Sequence, residues 1–300
     1  MSWRRLLCTL LLCAFFPTVT VADGDDGERE GGILGTGIVG TITELGSIYV
    51  NGQHILFDKD MQVAGGVSLE QAADLLPGHT VAVIARPEDS HWKASHIRQI
   101  TPLTGPVQIS SEGGFSVLGT DVVYSDASGL AFSDGDWVAV SGLWQGDRVL
   151  ATRVDPVDSM GPARIEGSVL SIVEGEPLRI GQTLIAGFLP QHLSEGDVVR
   201  AVGAANDASL DVSELEVGVF DTSPGLIFAE GYLSPPEPSG LYTVLGSSIV
   251  SYTDNPDMID PTIRYIACGE NGELASMIEV TEGLVDLTEC PGQLGAVSEN

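Results

Sequence analysis

The chain has 300 residues, with 42 Asp and Glu against 13 Lys and Arg, which gives a formal net charge of −29 at pH 7. Hydrophobic residues make up 43% of the sequence, enough to bury a core, so the composition excludes disorder over most of the chain. Proteins bind phosphate groups with Lys and Arg, so this charge argues against nucleic acid and anionic lipid as partners.

Residues 1–22 have the pattern of a secretory signal peptide. Arg4 and Arg5 precede an apolar run from Leu6 to Phe16, and the segment ends on the small residue Ala22. The apolar run is about 11 residues, whereas a membrane-spanning helix needs about 20, so we expect cleavage and no transmembrane segment in the mature chain. The general secretory route would then deliver the protein to the periplasm or the extracellular space, with its charge changed to −31 because two Arg leave.

Two of the four cysteines lie in the predicted signal peptide and two in the mature chain. Cys8 and Cys13 lie in the signal peptide, and each follows a Leu where lipid attachment needs a small residue, which argues against a lipid anchor. Cys268 and Cys290 remain in the mature chain, and in an oxidising compartment we expect them to form a disulfide. The alternative is two independent thiols.

Short β-branched runs punctuated by Gly dominate the rest of the chain and predict strands. These runs recur in a fixed order, and three landmarks mark each copy. A turn after the second strand contains Val50-Asn51-Gly52, Val117-Leu118-Gly119, Ile180-Gly181 and Val244-Leu245-Gly246. A Gly precedes the most apolar strand at Gly78, Gly135 and Gly196, and the fourth copy has Asp260-Pro261 instead. The last strand has an Ala or Val three residues before Ile, Val or Leu, at Ala94, Ala151, Val212 and Ala275, with offsets of 57, 61 and 63 residues.

The recurrence predicts four repeats of about 60 residues, each with five short strands. In the first repeat we expect a helix between the third and fourth strands, with Ser68 as N-cap, Gln71 at N3 and Gly78 after its end. Five strands with a helix at that place are the plan of an OB-like barrel. The predicted fold is therefore all-β, with tandem OB-like five-stranded barrels after a signal peptide.

The predicted domain organisation follows from these landmarks and from Pro- and Gly-rich linkers. It comprises a signal peptide (1–22), an acidic Gly-rich leader (23–35), β repeats at 36–101, 104–157, 162–218 and 226–285, and a C-terminal tail (286–300).

The run from Gly31 to Gly52 is Gly-Gly-Ile-Leu-Gly-Thr-Gly-Ile-Val-Gly followed by Thr-Ile-Thr-Glu-Leu-Gly-Ser-Ile-Tyr-Val-Asn-Gly. It resembles the opening of bacterial secreted proteins built from the DUF5666 domain. The Leu-x-x-Gly-(Asp)-x-Val-x-Val strand and the final Ala-x-x-Ile strand are similar to the repeat of that family. The resemblance is good over the first unit, recognisable over the second and third, and poor over the fourth. It implies exported tandem β modules without an established activity, so the resemblance transfers no catalytic residues to this sequence.

Gly35, Gly37 and Gly40 satisfy the dinucleotide-binding pattern G-x-G-x-x-G. That site needs a strand before the glycines and a helix after them, whereas an acidic leader precedes these and a hairpin pattern follows. We therefore expect no cofactor, and we interpret the glycines as allowing close turns and a bulge.

Acid clusters are the strongest candidates for binding chemistry. Asp254, Asp257 and Asp260 could supply hard oxygen ligands to calcium, although their spacing differs from that of an EF-hand; the alternative is a solvated acidic face. The five histidines, which are expected at the surface, lack the spacing of a zinc site; they are His54, His79, His91, His96 and His192.

Aromatic residues suggest one further hypothesis. Trp137 begins the most apolar strand of the second repeat, so we expect it to be buried. Tyr124 and Trp144 lie in the same repeat, and Trp92 lies in the first. OB-like barrels often bind ligands on the face of their second and third strands, so sugars could stack there.

The sequence thus predicts a non-enzymatic scaffold or binding module of the envelope, with an envelope protein or a glycan as partner and no catalytic residues selected by any motif. Two alternatives stay open. One is a carboxylate-dependent hydrolase, which needs two convergent acids in a deep cleft. The other is an acidic calcium-binding protein.

Overall fold

The structure, a computed structural model, describes residues 35–280 apart from 45–46, 68, 112–113, 126–131, 174, 188–189 and 191. The expected signal peptide and tail lie outside the described residues, as does the expected leader apart from Gly35. So does Cys290, and its pairing with Cys268 stays a prediction. The described residues form strands interrupted by two 3-10 turns, Ala72–Asp74 and Pro256–Met258, which confirms an all-β fold. No helix among them is long and apolar enough to cross a membrane.

The strands fall into four successive segments. The first contains β1 (Thr36–Thr41), β2 (Ile48–Val50), β3 (Gln53–Leu56), β4 (Val63–Ala64), β5 (Thr80–Glu88) and β6 (His91–Ile100). The second contains β7 (Leu103–Ile109), β8 (Phe115–Val117), β9 (Thr120–Tyr124), β10 (Trp137–Gln145) and β11 (Arg148–Pro156). The third contains β12 (Ala163–Ser168), β13 (Leu178–Ile180), β14 (Thr183–Gly187), β15 (Val198–Asn206) and β16 (Ser209–Val217). The fourth contains β17 (Leu226–Tyr232), β18 (Leu241–Val244), β19 (Ile249–Tyr252), β20 (Arg264–Glu270) and β21 (Glu273–Glu279).

The second segment is a closed five-stranded barrel. β7 pairs with β8, β8 with β9, β9 with β11, β11 with β10, and β10 again with β7. Only the β9–β11 pair is parallel. The first and fourth segments pair their strands in the same order, and single bridges, Ile42 to Val50 and Leu233 to Val244, join their first two strands. The third also keeps this order, but in its described residues β12 and β13 are not paired.

Two-residue turns set the register of the short hairpins. Asn51 and Gly52, between β2 and β3, have φ angles of 54° and 72°, and Leu118 and Gly119, between β8 and β9, have 54° and 80°. Positive φ at both positions is the type I′ geometry that matches the twist of the flanking strands. The Val-x-Gly landmark in the sequence is therefore a hairpin turn.

The long hairpin of each segment contains a β-bulge, which explains the Ala-x-x-Ile landmark. Residues three apart in a regular strand point to opposite faces. In β6 the ladder shifts between Ala94 and His96, so Ser95 is an extra residue. Ala94 and Ile97 therefore both face the core, with exposed fractions of 4% and 0%. The corresponding extra residues in the other segments are Thr152, Ser213 and Ala275, so the predicted fourth landmark is one residue late.

The prediction of a helix in the first segment is wrong. The chain forms one 3-10 turn there, Ala72–Asp74, with Gln71 at its N-cap. The N–H of Ala72 donates to the carbonyl of Met61, so hydrogen bonds across the loop replace helical ones. The expected cap, Ser68, lies outside the described residues.

The interpretation of the Gly-rich motif also needs correction, because Gly37 and Gly40 lie inside β1 rather than in turns. A Cβ at Gly37 would lie 2.6 Å from the ring of Phe220, and one at Gly40 would lie 2.2 Å from the side-chain oxygen of Asn51. These glycines let neighbouring side chains pack directly on the strand.

Two ladders join the segments in pairs. β1 runs parallel to β17 and joins the first and fourth segments in an 11-stranded sheet. β7 runs antiparallel to β12 and joins the second and third in a 10-stranded sheet. Buried clusters cross the boundaries as well, since Ile38 packs with Phe228 and Leu245 packs in the core of the second and third segments. The four segments share their cores.

Trp144, near the end of β10, lies where the segments meet. Its Nε1 donates to the carbonyl of Glu166 over 2.7 Å. A Cβ on Gly167 or Gly181 of the third segment would come within 2.9 or 2.5 Å of the indole, so only Gly lets the ring lie there. A space of about 20 Å³ remains at this junction, and residues of all four segments line it. The segments are thus packed closely around one ring.

We expect Trp144→Ala to lower the free energy of unfolding by about 3–5 kcal/mol, because it empties a packed junction. Trp144→Phe keeps a ring but loses the hydrogen bond to Glu166, so its effect should be smaller. Urea denaturation monitored by circular dichroism measures both. Trp137→Ala, at the half-buried start of the same strand, is the control, and an equal loss in the control would contradict the role given to Trp144.

Candidate functional site

A cleft of about 410 Å³ lies between the first and third segments. Its walls come from β6, β12, β15 and β16 and from the linker that follows β16. Three of the ten Lys and Arg in the described residues line it, although the chain is strongly acidic. The charged residues that line the cleft are Arg98, Arg164, Glu166, Arg200, Glu214, Glu216 and Asp221.

Strand register places the central charges side by side. Glu166 of β12 lies opposite Arg200 of β15, and Arg200 lies opposite Glu216 of β16. The Nη2 of Arg200 forms an ion pair with the Glu216 carboxylate. Opposite charges at facing positions stabilise a sheet, so this row supports the third segment as well as lining the cleft.

The first segment and the linker complete the cluster. Arg98 Nε of β6 lies 3.8 Å from Glu166 Oε1. The carboxylate of Asp221, on the linker, lies 3.7 Å from Arg98 Nη1, 3.6 Å from Arg200 Nη2 and 3.9 Å from His96 Nε2. Each of these four distances exceeds that of a hydrogen bond. The cluster therefore has attraction between charges but few direct hydrogen bonds.

Buried polar atoms without hydrogen-bond partners concentrate here. Arg98, Glu166 and Arg200 are only 9%, 7% and 8% exposed. In the described part of the chain, eight buried side-chain nitrogen or oxygen atoms have no partner, and five of them belong to this cluster. These five are His96 Nε2, Arg98 Nε, Glu166 Oε1, Arg200 Nε and Arg200 Nη1. Such groups call for a physical explanation, because leaving one unpaired costs about 1–3 kcal/mol.

Burial raises the pKa of Glu166 to about 7, since a carboxylate loses its hydration in this position. The charge of Arg98 and a hydrogen bond from the Thr101 backbone oppose the shift, as does Arg164, while the charge of Glu216 adds to it. At neutral pH a substantial fraction of Glu166 is therefore protonated, and the charge of the cleft changes with pH.

Of the histidines, His79 is the one that contradicts the expected surface position, because it is only 2% exposed. Its Nδ1 accepts from the N–H of Leu76, so its Nε2 donates to Asp155 over 3.1 Å and joins the first and second segments. Burial opposes ionisation of Asp155, but hydrogen bonds from His79 and Arg153 outweigh it and lower the pKa of that carboxyl group.

The expected calcium ligands are not brought together. Asp254 and Asp257 are exposed, and the Asp260 carboxylate accepts from the N–H and hydroxyl of Thr262. Those hydrogen bonds lower the pKa of Asp260. Across the residues that the structure describes, no three His, Cys, Asp or Glu side chains are arranged to hold a metal ion. Calcium binding by these acids stays a prediction.

The sugar-stacking hypothesis concerns the second and third strands of a repeat, which are β2 and β3 in the first segment and β8 and β9 in the second. Tyr49 stacks on His54 with ring centroids 4.8 Å apart, and the Ser47 hydroxyl is hydrogen-bonded to His54 Nε2. Trp92 and Trp144 are 1% and 5% exposed, so neither ring is available to a sugar. His91 lies beside His54 with ring centroids 6.1 Å apart, and Tyr124, at the end of β9 in the second segment, is partly buried.

Sequence reasoning missed the cleft. One local signal was present, because Arg200 interrupts the apolar run Val198–Val202, which was predicted as a core strand. Its partners Glu166 and Arg98 lie in other strands and another segment, and no local pattern connects them.

The comparison with protein families identifies the same domain that the sequence resembles. The family described as "Domain of unknown function (DUF5666)" matches residues 36–98 and 104–155, so two segments of the chain carry this domain. Arg98 is the last matched residue of the first segment, whereas Glu166 and Arg200 lie beyond both matches. No curated protein and no solved structure shows a significant match to the chain.

Glu166→Gln tests the buried carboxyl group through the pH dependence of stability. The folded-state pKa of Glu166 is about 7, above its usual 4.5, so the folded protein keeps a proton that the unfolded chain loses between these values. The free energy of unfolding should therefore fall by up to about 3 kcal/mol as pH rises from 4.5 to 7.

The Gln variant should lose this part of the pH dependence and be more stable than the unmodified protein at pH 8. Urea denaturation at pH 5 and pH 8 measures the difference. Glu270→Gln, at an exposed end of β20, is the control and should retain the full dependence. Parallel pH profiles for Glu166→Gln and the unmodified protein would show that Glu166 is not the titrating group.

Proposed function

We propose that the protein is an exported, non-enzymatic binding module or scaffold of the bacterial envelope, and that the cleft between its first and third segments is the binding site. The observation that carries this proposal is the convergence of Arg98 and Arg200, both buried, on an open cleft. Preformed clefts with a few convergent polar groups are the usual form of small-ligand sites. Export is supported by the signal-like residues 1–22.

The proposed architecture is four OB-like repeats. Support comes from the shared order of strand pairing, in which the first and fourth strands are antiparallel and the third and fifth parallel. A recurring turn adds to it, because Asp136 and Asp197 accept from the N–H groups of Ser133 and Ser194 three residues earlier. His79 makes the same contact in the first segment.

Carboxylate-dependent hydrolysis is the second candidate, and one observation favours it. Glu166 is partly protonated at neutral pH and shares the cleft with Glu214, Glu216 and Asp221. A protonated acid beside ionised carboxylates is the arrangement that glycoside hydrolysis uses. Binding is favoured over hydrolysis because Arg98 and Arg200 form ion pairs with Glu166, Glu216 and Asp221, which neutralises acids that a hydrolase would need free.

A hydrolase would turn over its substrate, whereas a binding module would retain its ligand unchanged. We expect the purified full chain to retain acidic envelope glycans in affinity electrophoresis and to leave glycoside, ester and phosphate substrates intact. Retention should weaken in Arg98→Gln and persist in Arg86→Gln, an exposed position on the neighbouring β5. Turnover that is lost in Glu166→Gln would establish the hydrolase and contradict the binding module.

A further inference from the structure

The cleft contains guanidinium N–H groups without hydrogen-bond acceptors, and their chemistry indicates which kind of ligand would supply the acceptors. Arg98 Nε, Arg200 Nε and Arg200 Nη1 belong to permanently charged guanidinium groups that are more than nine-tenths buried. Guanidinium donors match the oxygen atoms of an oxyanion, often in pairs. The described residues supply no acceptor to these three nitrogens.

Asp221 stands close to the position that such an oxyanion would take. Its carboxylate faces nitrogens of Arg98, Arg200 and His96, yet the nearest is 3.6 Å away. The linker that carries Asp221 connects β16 to β17, and the side chain is 62% exposed. A free anion is not restricted by a linker and can approach the guanidinium groups more closely.

Charge limits the anion to a single negative charge. The cleft is lined by three Arg and by four acids, Glu166, Glu214, Glu216 and Asp221. If Asp221 is displaced and Glu166 is protonated, three positive charges face two negative ones. One further negative charge then balances the cleft, whereas a doubly charged phosphate would exceed it.

We propose that the cleft binds a small ligand through one carboxylate group, which replaces the carboxylate of Asp221 between Arg98 and Arg200. This inference rests on the proposed binding function and names its ligand class. The volume of about 410 Å³ lies within the range of small-molecule sites and accommodates a carboxylated sugar or a ligand of similar size.

The same geometry gives the binding a pH dependence. The ionised Glu166 competes with the ligand for Arg98, and the protonated Glu166 does not. The other charged or titratable groups of the cleft are Arg164, Arg200, Glu214, Glu216, Asp221 and His96. Protonation below pH 7 therefore makes the cleft more positive, so a carboxylate should bind more tightly at pH 6 than at pH 8.

Glucuronate is a suitable probe, with glucose as its uncharged counterpart and sulfate, which carries two charges at pH 6, as the alternative anion. We expect glucuronate to shift the side-chain Nε–H resonances of Arg98 and Arg200 in a titration followed by nuclear magnetic resonance at pH 6. Glucose should leave them unchanged, and sulfate should bind more weakly than glucuronate. An oligouronate in the same titration shows whether the carboxylate belongs to a free sugar acid or to an acidic glycan.

Two variants test the mechanism. Asp221→Asn removes the internal competitor at an exposed position and should tighten glucuronate binding by about threefold. Arg98→Gln removes a charged donor and should weaken it by about tenfold or more. The matched controls are Asp254→Asn and Arg86→Gln, both exposed and outside the cleft, and both should bind as the unmodified protein does.

Three results would overturn the inference: equal binding of glucose and glucuronate, sulfate binding as tight as that of glucuronate, or unchanged affinity in Asp221→Asn. If glucuronate fails while envelope glycans are still retained through Arg98, the binding function stands and the carboxylate assignment falls. If neither is bound, both proposals fail.

Discussion

The packing of Trp144 against two glycines is the contact on which the arrangement of the segments depends. The indole belongs to the second segment, lies on Gly167 and Gly181 of the third, and approaches Gly246 of the fourth. Its hydrogen bond to the carbonyl of Glu166 fixes the strand that carries the cleft's central acid. The packing of Trp144 therefore helps to position Glu166 in the charged cleft.

Acidic residues differ in their exposure according to whether they lie at turns or at the boundaries between segments. Acids are abundant at turns and rims, where they remain hydrated, while two are buried at segment boundaries. Glu166 and Glu230 lie on the first strands of the third and fourth segments, and each precedes a Gly. Glu230 accepts from the N–H of Thr41 and so joins the fourth segment to the first. Burial raises the pKa of Glu230 as it does that of Glu166, so desolvation acts in the same direction on the buried carboxyl group at each boundary.

Local features of this fold were predictable from the sequence, and the contacts between segments were not. Alternating apolar residues and Asn51-Gly52 predict strands and a tight turn, because both depend on neighbours in the chain. The helix prediction failed because hydrogen bonds from a distant part of the loop, such as that from Ala72 to Met61, outweigh local helix signals. Arg98 and Glu166 meet because β7, which follows β6 after two residues, pairs with β12, and this pairing is encoded by packing between distant parts of the chain. A net charge of −29 likewise gave no hint that Arg residues converge.

The four segments fold as one body, and a boundary inside that body forms the cleft. Differential scanning calorimetry of the full chain tests it most directly, because cooperative unfolding makes the calorimetric and van't Hoff enthalpies equal. The shared cores predict a single transition with an enthalpy ratio of about one. Separate transitions, or a ratio of about two or more, would show segments that unfold independently and would contradict the account.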